Sequence, residues 1–164
     1  MRLRAAAAGD LEPLLRILSE PEVARWWPGF DRARVQAELL APDPEVTVFV
    51  LEHQAQVIGA IQYGEVSDPQ YRHASVDLFL GRDWWGRGFG PEAIRTLLAH
   101  LVRDRGHHRV VIDPAADNTR AIRAYGKVGF RRVGLLRQYE RGADGRWHDG
   151  LLMELLADEL DLPA

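Results

Sequence analysis

One stretch constrains this chain more than any other: Asp83-Trp84-Trp85-Gly86-Arg87-Gly88-Phe89-Gly90-Pro91-Glu92-Ala93. Two different periodicities flank it. Ahead of it, Ala74–Leu80 alternates, with Val76, Leu78 and Leu80 on one face and Ser75, Asp77 and Phe79 on the other, as in a strand. Behind it, Ile94, Leu97, Leu98, Leu101 and Val102 form one helical stripe. The pattern predicts strand, tight turn and helix, with Pro91 near the helix start, where a missing N–H costs little. Gly86, Gly88 and Gly90 free the backbone to bend and to present its N–H groups bare. The helix start adds roughly half a positive charge. Together these predict a cradle for an anion, most naturally a pyrophosphate. No Gly-Lys-Ser/Thr follows, and no acidic residue ends a second strand at the distance a dinucleotide fingerprint needs. The plainer alternative is a glycine turn that merely packs, with Arg87 an ordinary solvated arginine.

The remaining pattern predicts a mixed α/β sheet. Arg2–Ala6 reads as a strand, and Gly9-Asp10 as a break and N-cap before Leu11, Leu14, Leu15 and Leu18 at helical spacing. Asp31 reads as the cap of a second helix with Val35, Leu39 and Leu40 on its apolar face, stopped by Pro42 and Pro44. Val46–Leu51 and Val57–Val66 read as strands around a turn at His53–Gln56. After the central helix come a short strand, Arg109–Ile112, and a helix capped by Asn118. A hairpin of Val133–Tyr139 and Trp147–Leu155 follows, around Gly142–Gly145. The order is β-α-α-β-β-β-α-β-α-β-β, with a strand–helix–strand crossover near the middle. At 164 residues the chain is expected to form one domain, 1–164.

Composition narrows the chemistry. Cysteine is absent, which removes disulfides, thiolate metal sites and a cysteine nucleophile. A formal charge of −3 argues against sequence-independent nucleic-acid binding. No apolar run approaches a membrane span, and Met1–Ala8 lacks the run of a signal peptide, so a soluble, cytoplasmic protein is expected. His107-His108 read as surface residues in a loop, and no metal is expected.

A second signature lies downstream. Asp113-Pro114 is followed by Asn118-Thr119-Arg120-Ala121-Ile122-Arg123-Ala124-Tyr125-Gly126-Lys127-Val128-Gly129-Phe130. A glycine cradle after one strand, then a strand, then Asn, a helix carrying Tyr, and Gly-Phe resembles the GNAT superfamily of N-acetyltransferases. The resemblance implies a mostly antiparallel twisted sheet with a central parallel strand pair and flanking helices. It also implies acetyl-CoA as cosubstrate. Its pantetheine arm would lie along Leu78, Phe79 and Leu80, with the pyrophosphate on Gly86, Arg87, Gly88, Phe89, Gly90, Pro91 and Glu92. Asn118 would contact the pantetheine or its thioester end, Ala121 would also contact the coenzyme, and Tyr125 would lie beside the thioester sulfur. The family pattern usually starts the cradle with glutamine or arginine; here that position is Trp85.

Chemistry fits those roles. Expelling a thiolate is easier beside a hydroxyl that donates hydrogen, which suits Tyr125 as general acid; a core aromatic is its structural alternative. An alkylamine must lose a proton or be oriented, and Asp77 is the leading candidate for that work. A carboxylate in mid-strand runs against β propensity. An ion pair or a solvated face would also account for it. Asp113 ends the neighbouring strand, where open sheets place ligands, or serves as a turn residue before Pro114.

Within the superfamily, the chain is most similar to aminoglycoside 6′-N-acetyltransferases. The shared features are the paired Trp26 and Trp27, Asp77 before the cradle, and the run from Ile112 to Phe130. That resemblance implies a cationic aminoglycoside as partner, held by Asp77 and Asp113. Trp26 and Trp27 are candidates for the walls of that cleft and equally for hydrophobic closure of a helix pair. Asp117 and Glu140, with Glu65 and Asp68, are candidates for rim charge and equally for solvated surface. Trp85-Gly86-Arg87-Gly88 and Gly145-Arg146-Trp147-His148-Asp149 also resemble acetyltransferases of ribosomal-protein N-termini, and siderophore-type acyltransferases share some of these features. A non-catalytic acyl-CoA-binding module is the third reading. A monomer or a homodimer is expected.

Overall fold

The computed structural model describes residues 1–160; the last four residues of the expected domain lie outside the described residues. Seven strands form one sheet in the order β1-β2-β3-β4-β5-β7-β6. They are β1 (Arg2–Ala5), β2 (Val46–His53), β3 (Gln56–Val66), β4 (His73–Leu80), β5 (Arg109–Ile112), β6 (Arg131–Arg141) and β7 (Trp147–Leu156). All neighbours are antiparallel except β4 and β5, the central parallel pair. The expected mixed sheet with flanking helices is what the chain forms.

Strand alternation distributes the core to two faces. Ala74 and Val76 of β4 join Ile58, Ile61 and Ile112 under α4 (Phe89–Arg103) and α5 (Thr119–Val128). Phe79 of the same strand turns to the other face. There it joins Val50 and Ala60 under α1 (Leu11–Leu18), α2 (Pro21–Ala24) and α3 (Arg32–Val35). Along α4 the buried residues Ile94, Leu97, Leu98 and Leu101 are the stripe read from sequence.

Two local readings change. Asp10 does not cap α1 with its side chain. Its carboxylate accepts from the Ala7 N–H at 2.8 Å and from both terminal nitrogens of Arg4 at 2.7 Å, so it closes the preceding turn instead. The reason is proximity to Arg4, a stronger donor than a helix amide. The helix opened by Asp31, which accepts from the Arg34 N–H at 2.8 Å, widens over Gln36–Leu40, where the Ala41 N–H reaches the Gln36 carbonyl. No helix among the described residues is long and apolar enough to cross a membrane.

Candidate active site

The site begins where β4 and β5 part. They pair only at Ala74–Val110 and Ser75–Val111, while β4 runs on to Leu80 and β5 stops at Ile112. On its other side β4 stays paired with β3 through Leu80. The edge of β4 from Asp77 onward therefore faces a gap. A cleft of about 570 Å³ fills that gap, lined by Leu78, Phe79, Leu80, the glycine turn, Trp26, Trp27 and α5.

The glycine turn bends as its composition requires. Gly86 has φ +73° and Gly88, which starts α4, has φ +87°, a backbone region side chains rarely adopt. No atom lies within 4 Å of where a Cβ would stand at either residue, so the turn faces open space. No side chain caps α4, which leaves its first N–H groups to a ligand or solvent. Gly86, Gly88, Phe89, Gly90 and Pro91 line the cleft. Arg87 and Glu92 do not: the Arg87 guanidinium lies 5.1 Å over Trp84, and Glu92 meets the N-terminal ammonium at 3.4 Å.

Trp85 opens the glycine turn. Its indole N–H donates to the Leu80 carbonyl at 2.8 Å, and the Arg120 guanidinium covers its ring at 3.1 Å from the centroid. The side chain thus braces the turn against the end of β4. Across the cleft, Asn118 caps α5 by accepting from the Ala121 N–H at 3.2 Å. Trp27 packs edge-on against Phe79 at 4.9 Å, and Arg25 covers Trp26 at 4.6 Å.

Tyr125 is buried in the cleft wall. Burial first, and then the charge of Asp77, push its phenol above the usual range, while Arg120 opposes that shift. The carboxylates lie beyond it. Asp77 is open to solvent at its own surface yet hemmed in by surrounding protein. Desolvation, then Asp113 and more weakly Glu140, raise Asp77 to about 7, against the Leu78 N–H that donates to it at 2.9 Å. Glu140 is raised by burial and by Asp113. Asp113 accepts a hydrogen bond from the Tyr139 hydroxyl.

Asp117 stands apart, its charge matched by Arg25 at 3.4 Å. Glu65 belongs to a different cluster, accepting from Arg105 and His107, each at 2.7 Å. Asp68 accepts from the Gln70 N–H in a turn. His107 is not a surface residue: it is 1% exposed, because its N–H turns back to the Leu101 carbonyl and draws the ring inward. Sequence reasoning passed over Tyr139, whose strand shows no periodicity. It also left Arg120, Arg123 and Lys127 unassigned, although their spacing along α5 was visible and all three line the cleft.

Residues 1–131 match a family described as an acetyltransferase (GNAT) domain. The chain is 27% identical to an uncharacterized N-acetyltransferase, p20, of Bacillus licheniformis over 97% of its own length and 94% of that protein's. It is 29% identical to an aminoglycoside N(6′)-acetyltransferase type 1 of Klebsiella pneumoniae, over 80% of this chain and 74% of that one. Among solved structures, a spermidine N-acetyltransferase of Vibrio cholerae, in complex with CoA and spermine, superposes with a TM-score of 0.81 at 22% identity, covering 96% of each chain.

Proposed function

Because this chain belongs to the GNAT acetyltransferase family, we propose that it moves the acetyl group of acetyl-CoA to a primary amine of a small polycation, the 6′-amine of an aminoglycoside. The observation that carries the reading is the field shared by Asp77, Asp113 and Glu140. The negative charge of Asp113 raises both Asp77 and Glu140, so the cluster is short of positive charge, and a polyammonium acceptor supplies it. Similarity to the Klebsiella enzyme supports the same acceptor, and Trp26 and Trp27 offer apolar faces for sugar rings.

The residues present fit a coenzyme A thioester. From Leu78 to Leu80, β4 has no strand partner on the side that faces the gap, and that edge suits the pantetheine amides. The bare amides of Gly86–Gly90 suit a diphosphate. Trp85, Phe89, Pro91 and Ala121 make apolar walls, and Asn118, its Oδ1 engaged with Ala121, keeps its amide N–H₂ for the thioester end. The coenzyme supplies an acyl thioester as the electrophile.

Asp77, at about 7, is a stronger base than an ordinary carboxylate and takes a proton from the acceptor's ammonium, directly or through water, so that the neutral amine attacks the thioester carbonyl. Asp113 and Glu140 hold the rest of the acceptor's charge. Tyr125 fills the acid's place. Its hydroxyl, held protonated by burial, donates a hydrogen bond or its proton to the departing sulfur as general acid. No acyl-enzyme is needed, and no cysteine is present to form one.

A thiol-release assay across aminoglycosides, polyamines and N-terminal peptides tests the reading. Aminoglycosides bearing a free 6′-amine are expected to turn over best. Turnover confined to peptides would replace the acceptor with a protein N-terminus.

A further inference from the structure

The start of β7 is tied to neighbours on both sides. On one side it pairs with β6, where His148 stands opposite Glu140. On the other it holds the loop that follows β5. The Ala116 N–H donates to the Asp149 carbonyl and the Leu151 N–H to the Pro114 carbonyl, each at 2.8 Å, and Ala115 bridges to Gly150. That loop carries Asp113 and Asp117. Residues directly opposed in a strand pair bring their Cβ atoms to about 5 Å. The His148 imidazole therefore lies in the field of both Glu140 and Asp117, while Asp144 of the hairpin turn meets its Nε2 at 2.9 Å.

Three carboxylates on three elements thus face one half-exposed imidazole. The bond to Asp144 does most to hold its proton on above the ordinary histidine value, against some desolvation, and Asp117 and Glu140 add to the effect. In return His148 relieves part of the rise that burial and Asp113 impose on Glu140, and Glu140 acts on Asp77. The other charged groups nearby are engaged elsewhere. Arg25 meets Asp117 at 3.4 Å, the Arg141 guanidinium donates to the Gly145 carbonyl at 3.1 Å, Arg146 acts on Asp144, and Asp149 accepts from the Gln138 N–H at 2.7 Å.

We propose that His148 sets the acceptor preference of the site, standing in when protonated for a distant ammonium of the acceptor at Glu140, beside Asp117. This rests on the reading of the cleft as an amine acetyltransferase site. With the imidazolium in place, Glu140 is already matched and an acceptor is held by its reacting nitrogen alone. With the imidazole neutral, Glu140 takes a second ammonium, so a polyamine is favoured over a monoamine. His148 is a positioning residue that works through Glu140 and leaves the transfer chemistry unchanged.

Steady-state kinetics over about pH 5.5 to 8, the histidine range, tests it. The probes are kanamycin, which carries ammonium groups beyond its 6′-amine, and 6-amino-6-deoxyglucose, which carries only the reacting nitrogen. Titration of Asp77 affects both alike and cancels in the ratio of their KM values. In wild type the preference for kanamycin is expected to rise about fivefold from the acid to the alkaline end. His148→Gln should hold the preference at its alkaline value at every pH, and His148→Arg at its acid value, with KM for acetyl-CoA unchanged in both. Kanamycin alone also separates the variants: at the acid end its KM should be about fivefold lower in His148→Gln than in His148→Arg. A wild-type preference that stays flat, or kanamycin KM values equal in the two variants, would overturn the role of His148 and leave the acetyl transfer in place. Turnover of neither probe would remove the acceptor reading and this inference with it.

Discussion

The Tyr139 hydroxyl donates to a carboxylate oxygen of Asp113, 26 residues earlier in the chain, and so joins the edge strand of the sheet to the end of its parallel pair. A bulge makes this possible. Between Leu136, which faces Gly150, and Glu140, which faces His148, β6 carries extra residues. Gln138 takes φ +47° there, and its N–H is held by Asp149 at 2.7 Å. The Tyr139 ring lies over Gly150, where a Cβ would stand 2.8 Å from it. Tyr139→Phe should therefore leave the fold intact and loosen Asp113. Because the tyrosine is half exposed, the loss is about 1 kcal/mol, or roughly a fivefold rise in KM for a polycationic acceptor. KM for acetyl-CoA should not move. Steady-state kinetics with each substrate varied decides it, and an unchanged acceptor KM would remove Tyr139 from the site.

Asp77 sets the pH dependence. With its proton held to about 7, kcat/KM is expected to rise as pH increases through 7, the direction required of a base that works ionised. Asp77→Asn should abolish that limb and lower kcat by about a hundredfold or more, with coenzyme binding retained. Stability should move the other way. The native pKa lies above the unfolded one, so this group's contribution is fully present below the unfolded value and is lost as pH rises through about 7. After allowing for solvent screening, Asp77→Asn should gain about 1 kcal/mol at pH 8, or about 2–4 °C in Tm. A variant that loses activity and stability together would make Asp77 a structural residue.

What could be read from the sequence follows from how local each feature is. Alternation placed Asp77 opposite Val76 and Leu78 because a strand's side chains obey their own backbone. The glycine turn was legible for the same reason, since positive φ at Gly86 and Gly88 is a property of those residues. Asp113 at the end of β5 followed from counting. Tyr139 was illegible because its position depends on a bulge and on Gly150 across the strand pair, which no single-strand pattern contains. Asp10 and Glu65 were misjudged because Arg4, Arg105 and His107 claim them through tertiary contact.

Glu65 provides a contrast with the site carboxylates. It ties β3 to the loop after α4 through two bonds from Arg105 and one from His107. Arg105 first, against some desolvation, holds its carboxyl below the usual range. Its contribution to stability is present above the ordinary carboxylate range and is lost as pH falls through that lowered value. Glu65→Gln should cost about 2 kcal/mol at pH 7 and lower Tm by about 4–8 °C. It should leave kcat/KM per folded molecule unchanged. Thermal unfolding at several pH values alongside activity checks both, and a change in acceptor KM at constant stability would return Glu65 to the acceptor's rim.

Two glycines separate backbone collision from backbone entropy. Gly59 of β3 pairs with Leu80 at the end of β4, and a Cβ there would stand 2.1 Å from the Phe79 carbonyl oxygen and 3.0 Å from the Leu80 Cα. Both are backbone atoms, so no rotamer change relieves the clash and the strands must part. Gly59→Ala should cost about 3 kcal/mol or more. The damage reaches the site, because the Leu80 carbonyl receives the Trp85 indole. Gly126 lies inside α5 with nothing within 4 Å of a Cβ. Gly126→Ala should instead stabilise by about 0.5–1 kcal/mol. Chemical unfolding of the two variants at one pH measures the difference directly. Equal effects would mean that the β3–β4 contact is looser than its register requires, and that the edge of β4 facing the cleft is less rigid than an acyl-transfer site needs.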